Sequence, residues 1–203
     1  NSDGDNSTSN NIEIFDTNYN SIDSRSRNEN ELSDSKSIQY SINYTNKLND
    51  TGKKLTIDLQ YSNSDQDEIG SIYENSIFVE NNTTIQNSIR KLFQIDYVFP
   101  KEDGSQIELG YKADLNKRAS DYKNAPSIVD PNKYDPSNNL DFTQNVYAFY
   151  GQFGKKINKF SYLLGLRGEY TDQQITLITT NEDFSKDYAQ LFPTVNLGYE
   201  ISD

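Results

Sequence analysis

The sequence predicts an all-β fold, an antiparallel meander of about eight long strands. Three polar turn motifs recur along the chain at near-equal intervals, beginning at Asn49, Lys101 and Lys155. Each motif is flanked by runs in which apolar and polar residues alternate with a period of two, the pattern of a strand with one apolar and one polar face. Between successive motifs there is room for two long strands and one wide loop, so short and long connections should alternate.

The composition fits a sheet with one apolar face better than it fits a conventional core or a disordered chain. Only 33% of the 203 residues are hydrophobic, the mean hydropathy is −0.87 and the net charge is −12. Low hydrophobicity with high net charge is typical of disorder, but 15 Tyr and 10 Phe argue against a disordered chain. A sheet in which half of every strand is polar accounts for both observations.

The elements follow in chain order, and the N-terminal part is the least regular. Residues 1–11 are polar and of low complexity, which predicts a disordered or frayed segment. A weak strand is predicted at 12–22 and a charged loop at 23–37. Clear alternation begins at Ile38. The apolar stripes of the clear strands fall within 38–44, 55–61, 93–99, 107–115, 147–153, 160–170 and 191–201.

The length and the ends of these stripes indicate a membrane sheet. Each stripe has four or five apolar members, which implies the ~9–11 residues that a tilted strand needs to cross the hydrocarbon. The stripes also begin or end in Tyr or Phe, as aromatic interface girdles require. The sequence therefore predicts part of a transmembrane outer-membrane β-barrel in contact with outer-membrane lipid. A soluble β-sandwich is the alternative, although its strands would be shorter, with turn signals every ~8–12 residues.

Several kinds of chemistry are not predicted. The chain has no His and no Cys, which removes the commonest general base and metal ligands. Its 31 Asp and Glu residues do not follow the spacing of a calcium loop, and its acidity disfavours nucleic acid as a partner. We therefore predict no catalytic, metal or cofactor site, and no enzyme.

Three segments near the C-terminus carry a family likeness. They are residues 147–156 (YAFYGQFGKK), 165–171 (GLRGEYT) and 191–194 (LFPT). In this order they resemble the barrel segments of TonB-dependent receptors of the Bacteroidetes type, an outer-membrane β-barrel family. The resemblance implies a barrel of about 22 strands with a plug domain. Because only about eight strands and no plug are visible, residues 12–203 are expected to be a wall segment of an incomplete barrel.

The resemblance implies a function in transport. It suggests the barrel portion of an outer-membrane TonB-dependent receptor that takes up a scarce solute, with the TonB system and the plug domain as partners. The ligand class, whether small solute, glycan or peptide, stays open. The alternatives are a small closed eight-stranded barrel with an adhesive or structural role, and a soluble β-sandwich that binds a ligand.

The alternation also predicts which side chains face the barrel lumen. The apolar set Leu109, Tyr111, Leu164, Leu166, Val195 and Leu197 should face lipid. The turns at Asn49, Lys101 and Lys155 should lie on one rim, the periplasmic one, and the regions 65–82, 118–141 and 172–186 on the opposite rim. The polar members of the clearest strands are the lumen-facing candidates: Glu108, Lys112, Asp114, Arg167 and Glu169, with Asn196 on the same face.

Overall fold

The computed structural model describes residues 2–128 and 135–201. These residues form one antiparallel sheet of eight strands, and the order of the strands in the sheet follows the chain. The predicted all-β meander is therefore confirmed. The strands are β1 (Ser2–Phe15), β2 (Ser21–Lys47), β3 (Lys54–Glu74), β4 (Ile77–Pro100), β5 (Ser105–Pro126), β6 (Asn138–Ile157), β7 (Phe160–Leu177) and β8 (Glu182–Tyr199).

No second layer covers this sheet. Among the described residues every strand contacts only its neighbours in the sheet. The β-sandwich alternative is therefore wrong, because a sandwich packs the apolar faces of two sheets against each other. In the described part of the chain, no helix is long and apolar enough to cross a membrane.

The N-terminal part is more ordered than the sequence predicted. Residues 2–11, predicted to be disordered or frayed, belong to β1, which pairs with β2 from Ser2↔Ser35 onwards. The predicted strand at 12–22 is interrupted by a turn at 16–20, and the predicted loop at 23–37 is part of β2. These predictions are wrong because the segments are polar on both faces and show no alternation. Backbone pairing with a neighbouring strand holds them instead.

Connections alternate between two rims of the sheet. The β2–β3, β4–β5 and β6–β7 connections lie at one end of the strands, which we call the turn rim. The other connections lie at the opposite end of the strands, the far rim. This confirms the predicted separation of turns and loops. The third turn is displaced, however: it consists of Asn158 and Lys159, so that Lys155 and Lys156 belong to β6.

The loops predicted at the far rim are mostly strand. Within 65–82 the only connection is Asn75-Ser76, whose positive φ values of 50° and 66° are those of a tight hairpin turn. Within 172–186 the connection is 178–181. Of the loop predicted at 118–141, residues 118–126 belong to β5 and residues 138–141 to β6. Residues 129–134 lie outside the described part of the chain. The loop predictions are wrong for the same reason as at the N-terminus.

The turns at the other rim are built by residues suited to a left-handed backbone. Gly52 (φ 93°), Gly104 (φ 75°) and Asn158 (φ 54°) each adopt positive φ. In the second turn, Lys155 Nζ lies 2.7 Å from Asp103, which also accepts hydrogen bonds from Ser105. These contacts hold the pKa of Asp103 well below its ordinary value. A carboxylate whose pKa is lowered by folding stabilises the fold at pH values above its ordinary pKa. This turn therefore keeps its ion pair at neutral pH.

The register carries one apolar face across seven strands. Residues on this face pair in rows, for example Ile57↔Ile95, Ile95↔Tyr111 and Tyr111↔Phe149. We call this band the apolar belt; it comprises the residues facing this side within 38–44, 55–61, 93–99, 107–115, 147–153, 160–170 and 191–199. The two predicted sets lie on opposite faces: Leu109, Tyr111, Leu164, Leu166, Val195 and Leu197 lie on the belt, whereas Glu108, Lys112, Arg167, Glu169 and Asn196 lie on the other face, the polar face. That the belt meets lipid and the polar face lines a lumen stays a prediction.

The sheet is open at both ends. Strands β1 and β8 share no contact among the described residues. Moreover, β1 accompanies β2 only along 21–35, beyond the belt, so the belt part of β2 at 38–47 has β3 as its one described neighbour. The membrane-spanning part of the described sheet thus has two edges with unpaired backbone groups.

Candidate functional site on the polar face

The five predicted site residues share the polar face but lie on two strands. Glu108, Lys112 and Asp114 are on β5, and Arg167 and Glu169 are on β7. Strand β6 separates the two groups, because it pairs with β5 on one side and with β7 on the other. The structure therefore does not join the five residues in one cluster, but links each group to β4 or β6 side chains that the sequence interpretation did not name.

The β5 group is centred on Asp114. Its carboxylate receives two hydrogen bonds from Arg90 on β4, at 2.8 and 2.6 Å, and a third from Asn116 at 3.2 Å. Lys112 Nζ lies 3.9 Å from the same carboxylate. A two-pronged arginine–carboxylate pair fixes both side chains in one geometry, so Arg90 and Asp114 form a rigid charged element that joins β4 to β5.

The β7 group is extended by a tyrosine on β6. The Tyr150 hydroxyl donates to Asp96 on β4 at 2.5 Å, and the Arg167 guanidinium lies over the Tyr150 ring, 5.2 Å from its centre. Arg167 also pairs with Glu169 on its own strand. Tyr150 therefore crosses β5 and links charged side chains on β4 and β7. A cation over a ring face adds to this link, and more so where water is excluded.

Gly110 makes this crossing possible. It is the cross-strand partner of Tyr150, and a Cβ atom at position 110 would lie 2.2 Å from the ring. The tyrosine ring thus occupies the space that any other residue at position 110 would fill.

We expect Gly110→Val to destabilise the complete barrel protein by about 1–3 kcal/mol, the usual cost of forcing extra carbons into a packed site. The valine must expel the Tyr150 ring and break its hydrogen bond to Asp96. Urea unfolding, followed by circular dichroism of the backbone, measures the change in the free energy of unfolding.

The control for this variant is Gly154→Val, on the same face, where the nearest atom to a new Cβ lies 3.7 Å away. It should cost little. In a Tyr150→Ala background, Gly110→Val should lose most of its effect, because the ring is no longer there. An equal cost in both backgrounds would show that Tyr150 does not occupy the Gly110 site.

Glu108 forms a separate network with two uncharged partners. It accepts hydrogen bonds from Gln106 on its own strand and from Gln152 on β6. Sequence reasoning missed Arg90, Asp96, Tyr150 and Gln152 as members of the site. The alternation alone predicts the face on which each of them lies. Arg90 and Asp96 occupy the polar positions of β4, and Tyr150 lies on the face of β6 opposite to its apolar residues. Which of them meet across strands was not readable, because that depends on register.

The arrangement presents fixed hydrogen-bonding groups and paired charges. The four acids named above each have a hydrogen-bonding or ion-pair partner: Asp96 with Tyr150, Glu108 with Gln152, Asp114 with Arg90 and Glu169 with Arg167. In the described residues no group of three or more acidic or other ligating side chains could hold a metal ion. Such a surface suits contact with water and polar solutes.

Comparison with known proteins gives a family and a fold. The model of the outer membrane protein beta-barrel family matches residues 46–203. Curated protein sequences give no significant match. Similar solved structures include the unliganded ferric citrate transporter FecA, with a TM-score of 0.67 and 15% identity over 91% of this chain. The ferric yersiniabactin uptake receptor FyuA from Yersinia pestis has a TM-score of 0.55 and 11% identity over 89% of this chain.

A third solved structure, BauA from Acinetobacter baumannii, is a ferric preacinetobactin receptor with a TM-score of 0.51 and 12% identity over 88% of this chain. The chain spans less than a third of each of these proteins, between 27% and 29% of their length. At such identities the likeness concerns the fold.

Proposed function

The chain belongs to the outer membrane protein β-barrel family and resides in the bacterial outer membrane, and from this premise we propose that it forms part of the barrel wall of a TonB-dependent receptor for a scarce solute. The observation that carries the proposal is the open sheet. Strands β1 and β8 do not pair among the described residues, whereas an eight-stranded barrel would join its first and last strands. The sheet also aligns with about a quarter of a ferric citrate transporter.

In this proposal the polar face lines the lumen. Glu108, Lys112, Asp114, Arg167 and Glu169 then border the path of the solute, together with Arg90 and Tyr150. Arg90 pairs with Asp114 and Arg167 with Glu169, so these charges compensate each other and leave a polar wall that suits passage better than tight binding. The plug domain and the TonB system act through the rest of the receptor.

The proposal also assigns the two rims. Outer-membrane barrels extend further on the extracellular side than on the periplasmic side. Here the strands run far beyond the belt only toward the far rim, so we assign the turn rim to the periplasm. Strands β2 to β8 are 18–27 residues long, well beyond the ~9–11 residues that cross the hydrocarbon. The excess lies toward the far rim and forms a polar extension outside the cell, where a ligand would first be captured.

Solute uptake tests the proposal. The encoding bacterium is compared with a strain that lacks the receptor, each with and without a protonophore, using labelled ferric citrate, a ferric siderophore, cyanocobalamin and a maltooligosaccharide. We expect uptake of one probe to fall equally on loss of the receptor and on collapse of the proton gradient, because TonB coupling consumes that gradient. Uptake that needs the receptor but survives the protonophore would indicate a passive pore. Loss of surface attachment with normal uptake would favour the adhesive barrel.

A further inference from the structure

One of the depressions in the apolar belt has a feature that the general function of a barrel wall does not require, namely cations at one end. It is a groove of about 350 Å³ on the lipid-facing side of β2–β5, lined by Tyr40, Leu59, Tyr61, Phe93 and Ala113 among others. Ala113 creates it, because this small residue lies in the row between Phe93 on β4 and Tyr147 on β6. We call it the Ala113 groove. Its mostly apolar lining suits a hydrocarbon chain.

Two lysine side chains, Lys91 and Lys117, lie at the far-rim end of the groove. Lys91 lines the groove and is the cross-strand partner of both Tyr61 and Leu115. Lys117 follows Leu115 on the same face of β5, one row further toward the far rim. Diagonal neighbours of this kind lie about 7–8 Å apart, so both ammonium groups can reach one anion.

These two lysines differ from the others on this side of the strands. Lys36, Lys123 and Lys155 each have a carboxylate partner, namely Asp34, Asp121 and Asp103. Lys91 and Lys117 are exposed and have no ion pair among the described residues. Two unpaired cations in a chain of net charge −12, placed where the belt meets the headgroup region, are complementary to a lipid phosphate.

We propose that the Ala113 groove binds an acyl chain of a phosphorylated glycolipid of the outer leaflet, and that Lys91 and Lys117 bind its phosphate. The assignment to the outer leaflet rests on the proposed function, which places the far rim outside the cell. The aromatic side chains around the groove stiffen it: Tyr40 and Tyr61 stack with ring centres 6.4 Å apart, and Phe93 lies 6.1 Å from Tyr111. A preformed groove loses little freedom when a chain enters it.

Lipid binding to the complete receptor tests the proposal. The receptor is purified in a non-ionic detergent and titrated with diphosphoryl lipid A, and the bound lipid is counted by native mass spectrometry. The double variant Lys91→Gln/Lys117→Gln should lower the affinity about thirtyfold, from the usual contribution of two lysines near an anionic surface. Lys36→Gln/Lys123→Gln is the matched control and should bind as the wild type does. Dephosphorylated lipid A should bind the wild type as weakly as diphosphoryl lipid A binds the double variant.

A second pair of variants tests the groove without changing charge. Ala113→Phe fills the depression and should abolish saturable binding, whereas Ala119→Phe, on the same face of β5 beyond the belt, should leave it unchanged. Equal binding by phosphorylated and dephosphorylated lipid, or by wild type and double variant, would overturn the proposal. So would a mass that corresponds to a second receptor copy in place of lipid. Solute uptake should be normal in the lysine variants, so a failure of the lipid site is distinguishable from a failure of the transport proposal.

Discussion

The 203-residue stretch expressed by itself is expected not to yield a compact, heat-modifiable monomer in detergent. Its membrane part has two open edges: the outer edge of β8, and the belt part of β2 at 38–47, which β1 does not accompany. In lipid each unsatisfied backbone group costs several kcal/mol, and edge strands that stay unpaired associate with other chains. Eight strands at the curvature of a wide barrel cannot bring these edges together.

Gel migration before and after boiling, together with single-channel conductance, measures this outcome. The complete receptor is the control and should migrate faster when unboiled and give a heat-modifiable band. The isolated stretch should aggregate or run as an unfolded chain under both conditions. A compact monomer would show that the eight strands close on themselves, and the wall-segment proposal would then have to be abandoned.

Leu166→Arg is expected to destabilise the complete receptor by about 2–4 kcal/mol, the cost of an arginine on the lipid face near the middle of the bilayer. Leu166 lies on the apolar belt, opposite Gly151, and 54% of its surface is exposed in the sheet. No second layer covers it among the described residues, and in the proposed barrel lipid would surround it. The arginine would have to reach the headgroups or draw water into the hydrocarbon.

Gln152→Arg provides a control at the same depth. Gln152 is adjacent to Gly151 in the chain and faces the polar side, where its amide bonds Glu108. The new guanidinium keeps a carboxylate partner there and should cost less than 1 kcal/mol, in the range of exposed ion pairs. The two variants are compared by urea midpoints of the refolded receptor in detergent. Equal destabilisation by the two variants would mean that the apolar belt and the polar face are in contact with the same solvent.

Local sequence was sufficient for the features that depend on the bilayer. Apolar residues such as Leu109, Leu164 and Val195 share one face, as expected of a sheet with lipid on one side and water on the other. The period of two therefore predicted correctly that Glu108 and Arg167 lie on the opposite face of the sheet. Gly52 and Gly104 likewise marked their turns, because positive φ excludes most other residues.

The sequence by itself thus determined the all-β class, the apolar belt and the turn rim. Only the tertiary structure showed that the strands extend far toward the far rim. There Asn, Ser and Thr face water on both sides, so it is backbone pairing with the neighbouring strand that keeps these segments extended. It also decided which side chains meet: Asp96, Tyr150 and Arg167 come from three strands, and Ala113 becomes a groove because Phe93 and Tyr147 flank it. The physical reason is that facing follows from local alternation against the solvent, whereas contacts across strands follow from register, which pairs residues far apart in the chain.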